Sequence, residues 1–296
     1  MTSEVALDWL PAALLEHADA HASKATFDAD RHAQAERFAA RQEQGADAMR
    51  EAGAAGVQGR CPLCDAPARF LSPDHAAHVP NFREGLVCSG CRTNARVRAG
   101  LSLLHALCPD RGAPIYITEQ ASSAYACLRA HYPNATGSEF ERGWWRRLRL
   151  SRHLLAAGIR ELVRYEDVTR LRLQTSSQRA VVSFDVIEHV PDDHAALREF
   201  ARVTEPDGWL VLTAPFAGTE RSIERTRRYA DGSIEHLLPA EYHGDPLGGG
   251  VLCHRHYGWD LLDALCNAGY RRAAVATSWW PEAGLFAGLA TIVAQR

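Results

Sequence analysis

From residue 94 onward, short apolar runs alternate with amphipathic helical stretches, and few architectures accommodate that rhythm. Strand-like runs fall at 115–118, 135–138, 162–165, 180–183 and 209–213, with a closing pair at 273–278 and 289–294. Between several of them lie helical patterns. Val97, Leu101 and Leu104 mark one stripe, and 195–203 and 259–268 carry others. This alternation predicts an α/β fold whose mostly parallel sheet is covered on both faces. Ligands of such sheets bind outside the carboxyl ends of the strands, so the residue after each strand is the informative one.

Those residues form an ordered series. The first strand ends at Glu119, the second at Glu139 in TGSEF, the third at Glu166-Asp167 in RYEDVT, and the fourth at Asp185 in VVSFDVIEHV. Acids at four successive strand ends suit a ligand that donates hydrogen bonds, such as an ammonium, a ribose diol or an exocyclic amine. They do not suit a phosphate. An acid after a strand is also a common helix N-cap, which accounts for Glu119 or Asp185 singly but poorly for the whole series. The turn in PIYITEQASSA is unusual, because Gln120, Ala121, Ser122 and Ser123 stand where a nucleotide-binding turn normally has glycines.

A second constraint precedes the sheet. Cys61-x-x-Cys64 and Cys88-x-x-Cys91 each present two thiolates from one tight turn, and two such knuckles complete a tetrahedral Zn²⁺ shell. With four sulfur ligands the shell is closed, so the expected zinc is structural; His75 and His78 are spare ligands. The other cysteines, Cys108, Cys127, Cys253 and Cys266, are scattered, which suits a reducing compartment better than a disulfide scaffold. Residues 1–58 read as helical, with His17 and His21 one turn apart on a solvated face.

Charge and hydropathy exclude several classes. The 33 basic and 36 acidic residues give a net charge of −3, which offers no global attraction to nucleic acid or an anionic membrane. No apolar run approaches the ~20 residues of a membrane span. The first residues, MTSEVALDWL, carry acids and no basic leader, so they are not read as a secretory signal. A cytoplasmic protein is expected.

The stretch SFDVIEHVPDDHAALREFARVTEPDGWLVLTAPF resembles the class I S-adenosylmethionine-dependent methyltransferases: a fourth strand, a Glu-His-Val turn, a helix, a Pro-Asp-Gly turn and a fifth strand. The resemblance covers 94–296. It implies a Rossmann-like, seven-stranded, mostly parallel sheet, with an N-terminal helical segment (1–58) and a zinc ribbon (59–93) ahead of the methyltransferase domain. By the same resemblance Glu139 takes the ribose hydroxyls, Asp167 the adenine amino group and Glu119 the methionyl ammonium, while Asp185 lies beside the reacting methyl. Glu188 and His189 match a turn of mainly structural role. The TEQ turn behind a paired-CxxC ribbon and an Asn-x-Arg-x-Arg helix start is similar to a glycine-poor subgroup of these proteins. There, one of Arg96 and Arg98 pairs with the methionyl carboxylate; Arg96 is taken.

An insertion at 217–257 follows the fifth strand and overhangs the strand ends, as functional loops do. It holds Glu241, His243, Asp245, His254 and His256. Histidine beside an acid is an economical general base near neutral pH, so His243 and Asp245 are the catalytic candidates. A metal cluster and a plain polar lid are the other readings of this loop. The basic, Trp-containing stretch from 142 to 164 reads as an exposed amphipathic helix or a grip for RNA. The expected activity is methyl transfer to a small-molecule or saccharide-type acceptor. The alternatives are a ribosomal or transfer RNA methyltransferase with a zinc module, and a binding protein that kept the fold without activity.

Overall fold

A computed structural model describes residues 7–72, 81–229, 231–244 and 250–296. The fold is mixed α/β and Rossmann-like. By contact density the chain divides into two units, 1–109 with 274–292, and 110–273 with 293–296. Seven strands make the main sheet.

The second unit carries the parallel strands, in the order Thr204–Thr213, Gln178–Phe184, Ile115–Ile117, Thr136–Gly137. Ile115 lies opposite Ala180, Tyr116 opposite Thr136, and Val182 opposite Val211. From Ala180 to Phe184 every residue is buried, as expected of a strand covered on both faces. Helices Ser123–His131, Trp144–Ala156, Asp193–Val203 and Asp260–Ala268 complete the unit. Chain order reverses between Ile115–Ile117 and Gln178–Phe184. That reversal is a topological switch point, which leaves a crevice beyond the two carboxyl ends.

One predicted strand is absent. At 162–165 only a single bridge forms, between Glu139 and Tyr165. Side chains have taken the backbone donors that a ladder would use: Val163 N–H donates to Ser151 Oγ at 2.9 Å and Arg164 N–H to Gln120 Oε1 at 2.7 Å.

In the first unit one strand comes from an unexpected place. Residues Ala18–His21, read as helix from sequence, form a strand antiparallel to Arg272–Trp280, with Ala18 opposite Ser278 and His21 opposite Val275. The third strand here is Leu285–Gln295. His17 stacks on Trp280 with ring centroids 3.6 Å apart, and His21 pairs with Asp30 at 3.3 Å, so neither sits on a solvated helix face. Helices Lys24–Ala33 and Ala35–Ala52 lead to a three-stranded ribbon, Val57–Cys61, Ala66–Leu71 and Val87–Cys88. Helix Ala95–Leu107 follows; Asn94 caps it by accepting Val97 N–H at 2.9 Å. No helix of the described residues is long and apolar enough to cross a membrane.

Candidate cofactor and acceptor site

The turn after the first parallel strand explains its own lack of glycine. None of residues 119–123 has a positive φ, so side chains cost nothing there. Glu119 Oε2 accepts from Thr118 Oγ1 at 2.8 Å and Phe184 N–H at 3.4 Å, tying this strand end to the next. Ser122 caps the following helix by accepting Tyr125 N–H at 3.1 Å, and its hydroxyl donates to Glu119 O at 2.7 Å. Gln120, fully buried, stitches the turn to its neighbours: besides accepting from Arg164, it donates through its own N–H to Ser138 O at 3.1 Å. The glycine this geometry needs is Gly137, whose Cβ would stand 3.0 Å from Gln120 Cβ.

Beyond the switch point lies a cavity of about 780 Å³, inside the usual range for small-molecule sites. The four acids of the series, Glu119, Glu139, Asp167 and Asp185, all line it. Glu139 Oε1 accepts Ala121 N–H at 2.6 Å, so one carboxylate joins the first two strand ends. Asp167 Oδ1 is held by Thr169, from N–H at 3.0 Å and Oγ1 at 2.6 Å, while neighbouring Glu166 is engaged by Arg172 at 3.1 Å. Asp185 has φ +53°, a strained conformation for a residue with a side chain, and accepts Thr213 Oγ1 at 3.0 Å. Phe140, Val168 and Leu150 supply an apolar wall.

The described residues of the insertion form short β pairs. Three antiparallel pairs run through the insertion: Ile223–Glu224 with Arg255–His256, Thr226–Arg228 with Ile234–His236, and Tyr242–His243 with Val251–Leu252. It contributes Arg228, Tyr229, Gly244 and Val251 to the cavity wall. Beneath it, His254 N–H donates to Glu188 O at 2.7 Å, anchoring the insertion to the Glu-His-Val turn. His243 faces Glu188 and Glu241, at 3.6 and 2.9 Å. The Glu188 carboxylate, aided by Glu241 and opposed by burial, pushes His243 up to about 9. Asp245, the other catalytic candidate, lies outside the described residues, as do His75 and His78.

In the first unit the four ribbon cysteines converge. Cys61 Sγ lies 3.8 Å from Cys91 Sγ, and Cys64 Sγ 3.8 Å from Cys88 Sγ. A tetrahedral shell with metal–sulfur bonds of about 2.3 Å separates its sulfurs by about 3.8 Å, whereas a disulfide would require about 2 Å. The donor set and its spacing therefore fit Zn²⁺. Gly90 sits in the second knuckle, where a Cβ would come within 2.9 Å of Cys64 Sγ.

Arg96 is not among the residues lining the cavity. Its guanidinium donates to both Glu84 oxygens, at 2.8 and 3.2 Å, because the Asn94 cap brings the first helical turn alongside Glu84. Arg98, the other arginine of the pair, is fully buried. It donates to four carbonyl oxygens, of Ala283 (2.7 Å), Thr93 (3.0 Å), Leu86 (3.0 Å) and Gly284 (3.2 Å). Both arginines are thus committed within the first unit. Sequence reasoning missed the bonding role of Gln120, passed over Arg228 and Tyr229, and missed the full burial of Glu188, since nothing local distinguishes them.

Residues 105–212 match the family model described as a methyltransferase domain. None of the curated proteins compared matches the chain. Solved structures similar to it include a SAM-bound amino pentose methyltransferase of Micromonospora echinaspora involved in calicheamicin biosynthesis. It is 17% identical, covers 70% of this chain and 93% of its own, and has a TM-score of 0.47. A sugar N-methyltransferase of a Streptoalloteichus species is 19% identical over 68% of this chain and 87% of its own, at TM-score 0.44. An S-adenosylmethionine-dependent methyltransferase of Mesorhizobium loti is 18% identical over 62% and 91%, at 0.41. The fold is mixed α/β and Rossmann-like, with a central, mostly parallel sheet. The match to a methyltransferase domain over residues 105–212 supports a methyltransferase.

Proposed function

We propose that the protein transfers a methyl group from S-adenosylmethionine to a small-molecule acceptor, of saccharide type or similar, bound under the 217–257 insertion. The observation that carries this reading is the convergence of Glu119, Glu139, Asp167 and Asp185 on one cavity at the switch point. In this reading Glu139 binds the ribose diol, Asp167 the adenine amino group between Phe140 and Val168, and Glu119 the methionyl ammonium. Asp185 stands near the methyl. When bound, the cofactor supplies an electrophilic sulfonium methyl. The protein's part is to hold the acceptor in line with it and to exclude water. A cavity wall with seven carboxylates (Glu119, Glu139, Glu141, Glu166, Asp167, Asp185 and Asp192) and one arginine suits a neutral or cationic acceptor, such as a polyol or amino compound. Cys61, Cys64, Cys88 and Cys91 hold a structural zinc. A reducing, cytoplasmic location belongs to the same reading.

The test is calorimetry of the full chain with S-adenosylmethionine and S-adenosylhomocysteine. Micromolar binding of both is expected, and no heat at millimolar ligand would leave a fold without cofactor. One observation favours a second reading, an RNA acceptor. Helix Trp144–Ala156 exposes Trp144 (51%) and Trp145 (76%) beside Arg146 and Arg149. RNA binding that weakens steeply with salt would favour it.

A further inference from the structure

The buried Glu-His-Val turn meets the insertion in a way that neither the fold nor the cofactor site requires. Glu188 is fully buried, and neither of its carboxylate oxygens has a hydrogen-bond partner among the described residues. Leaving a carboxylate dry and unbonded is among the costliest arrangements a protein can adopt. What surrounds it is two imidazoles at distances too long for hydrogen bonds: His243 Nδ1 at 3.6 Å and His189 Nε2 at 3.8 Å from Glu188 Oε1. All three donor atoms lie within 4.8 Å of one another. Two ligands on a common tetrahedral ion, each about 2.1 Å from it, stand about 3.4 Å apart, close to what is seen here.

The second nitrogen of each ring is already committed. His189 Nδ1–H donates to Leu252 O at 2.8 Å, which leaves Nε2 as the lone-pair nitrogen turned toward Glu188. His243 Nε2–H donates to Glu241 Oε1 at 2.9 Å, which leaves Nδ1 turned the same way. A ligand histidine held through its other nitrogen by a carbonyl or a carboxylate is the recurrent outer-shell pattern of metal sites. Glu241 is itself steadied by Arg225 at 3.0 Å and His256 at 3.1 Å. The rings of His189 and His243 sit edge to face, 4.9 Å between centroids.

We propose that Glu188, His189 and His243 bind a first-row divalent cation, zinc foremost, with one coordination face open to the cavity. Two imidazoles and one carboxylate are the donor set of hydrolytic zinc and non-haem iron sites, which keep remaining positions for water or substrate. His189 lines the cavity, as do Gly244 beside His243 and Val251 beside Leu252, so the open face points to where an acceptor would lie. In that position the cation takes an oxygen of the acceptor, a hydroxyl or a carboxylate. This last step rests on the methyltransferase reading; the site itself does not. It differs from the cysteine site in every respect that matters to experiment: ligand type, an open face, and location in the second unit.

The test counts metal. Full-length protein purified without chelator is dialysed after zinc supplementation and analysed for zinc per chain. Two per wild-type chain are expected, and one in Glu188→Gln and in His243→Ala. Cobalt(II) loading separates the sites, because thiolate-bound cobalt absorbs intensely in the near ultraviolet and the histidine–carboxylate site does not. Circular dichroism checks that each variant folds; should Glu188→Gln fail, His243→Ala decides, its ring being 28% exposed. A single zinc per wild-type chain, held by the cysteines, overturns the site and leaves Glu188 balanced by protonated His243. Two zincs retained in the variants also overturn it. Two zincs without any S-adenosylmethionine binding would keep the site and remove the methyltransferase reading.

Discussion

At the scale of single residues, burial decides what a charge is for. Arg98 and Arg96 stand two positions apart in one helical turn, yet one is a clamp and the other half of a partly exposed ion pair. Burial alone lowers the proton affinity of the Arg98 guanidinium, and the neighbouring cysteine thiolates oppose that loss, Cys61 foremost. With four carbonyl partners and the Phe70 ring 4.3 Å below it, Arg98 holds the ribbon to residues 283–284. Arg98→Met should lower unfolding free energy by about 3–5 kcal/mol in urea titrations, since it strands several carbonyls at once. Arg96→Met should change it by under about 1 kcal/mol. Equal effects would show that burial is not the discriminator. Glu139 is the corresponding case in the cavity. Its carboxylate accepts Ala121 N–H and is proposed to accept the ribose diol. Glu139→Gln should weaken S-adenosylmethionine binding about ten- to a hundredfold by calorimetry, the cost of about 1.5–3 kcal/mol for a charge-assisted bond. Unchanged affinity would remove Glu139 from the site.

Elements here are stabilised by what their ends and faces touch. Helix Asp193–Val203 is capped by Asp192, whose Oδ1 accepts Ala195 N–H at 3.0 Å. Its last turn then reaches sideways. Arg202 donates to Leu171 O and Leu173 O at 2.9 and 3.0 Å, while Glu199 accepts Leu171 N–H at 2.7 Å. Arg202 chiefly, with Leu171 N–H assisting, holds the Glu199 carboxyl below the usual carboxylate range. A depressed acid contributes stability above its unfolded pKa, and that contribution is lost as pH falls through the folded value. Glu199→Gln should therefore cost about 0.5–1 kcal/mol at neutral pH, discounted for partial exposure, and nothing once both states are protonated in acid. Urea midpoints of the two proteins that fail to converge at low pH would contradict this. The proposed zinc holds the ribbon in the same local way. Three short strands bury little apolar surface, and structural zinc supplies about 10–16 kcal/mol in comparable sites. Chelation should open 57–93 to proteolysis, and zinc should restore protection.

At the scale of the whole molecule, the proposed cofactor binding is linked to folding of the second unit. A ligand bound only by the native state adds RT ln(1 + [L]/Kd), about 2.7 kcal/mol at a hundredfold excess over Kd. Saturating S-adenosylhomocysteine should thus raise the thermal midpoint by several degrees; an unmoved midpoint argues for a fold that binds nothing there. Much of this molecule was legible in its sequence for reasons that are local. A buried parallel strand must be apolar throughout, its carboxyl end must carry whatever meets the ligand, and a zinc knuckle must space two cysteines around a tight turn. Those rules located Glu119, Glu139, Asp167 and Asp185, all of which reach one cavity, and the four cysteines that come together. They said nothing of pairings made across the chain. Residues 162–165 have strand composition, but Gln120 and Ser151 take their backbone donors. Residues 18–21 have helical neighbours, but the Arg272–Trp280 strand offers them a ladder. Arg98 owes its burial to residues 283–284, and Glu188 meets His243 only because the insertion folds back onto the turn. Spacing along the chain determines which groups each element presents; which of them meet, dry and within bonding distance, is decided by packing between elements remote in sequence.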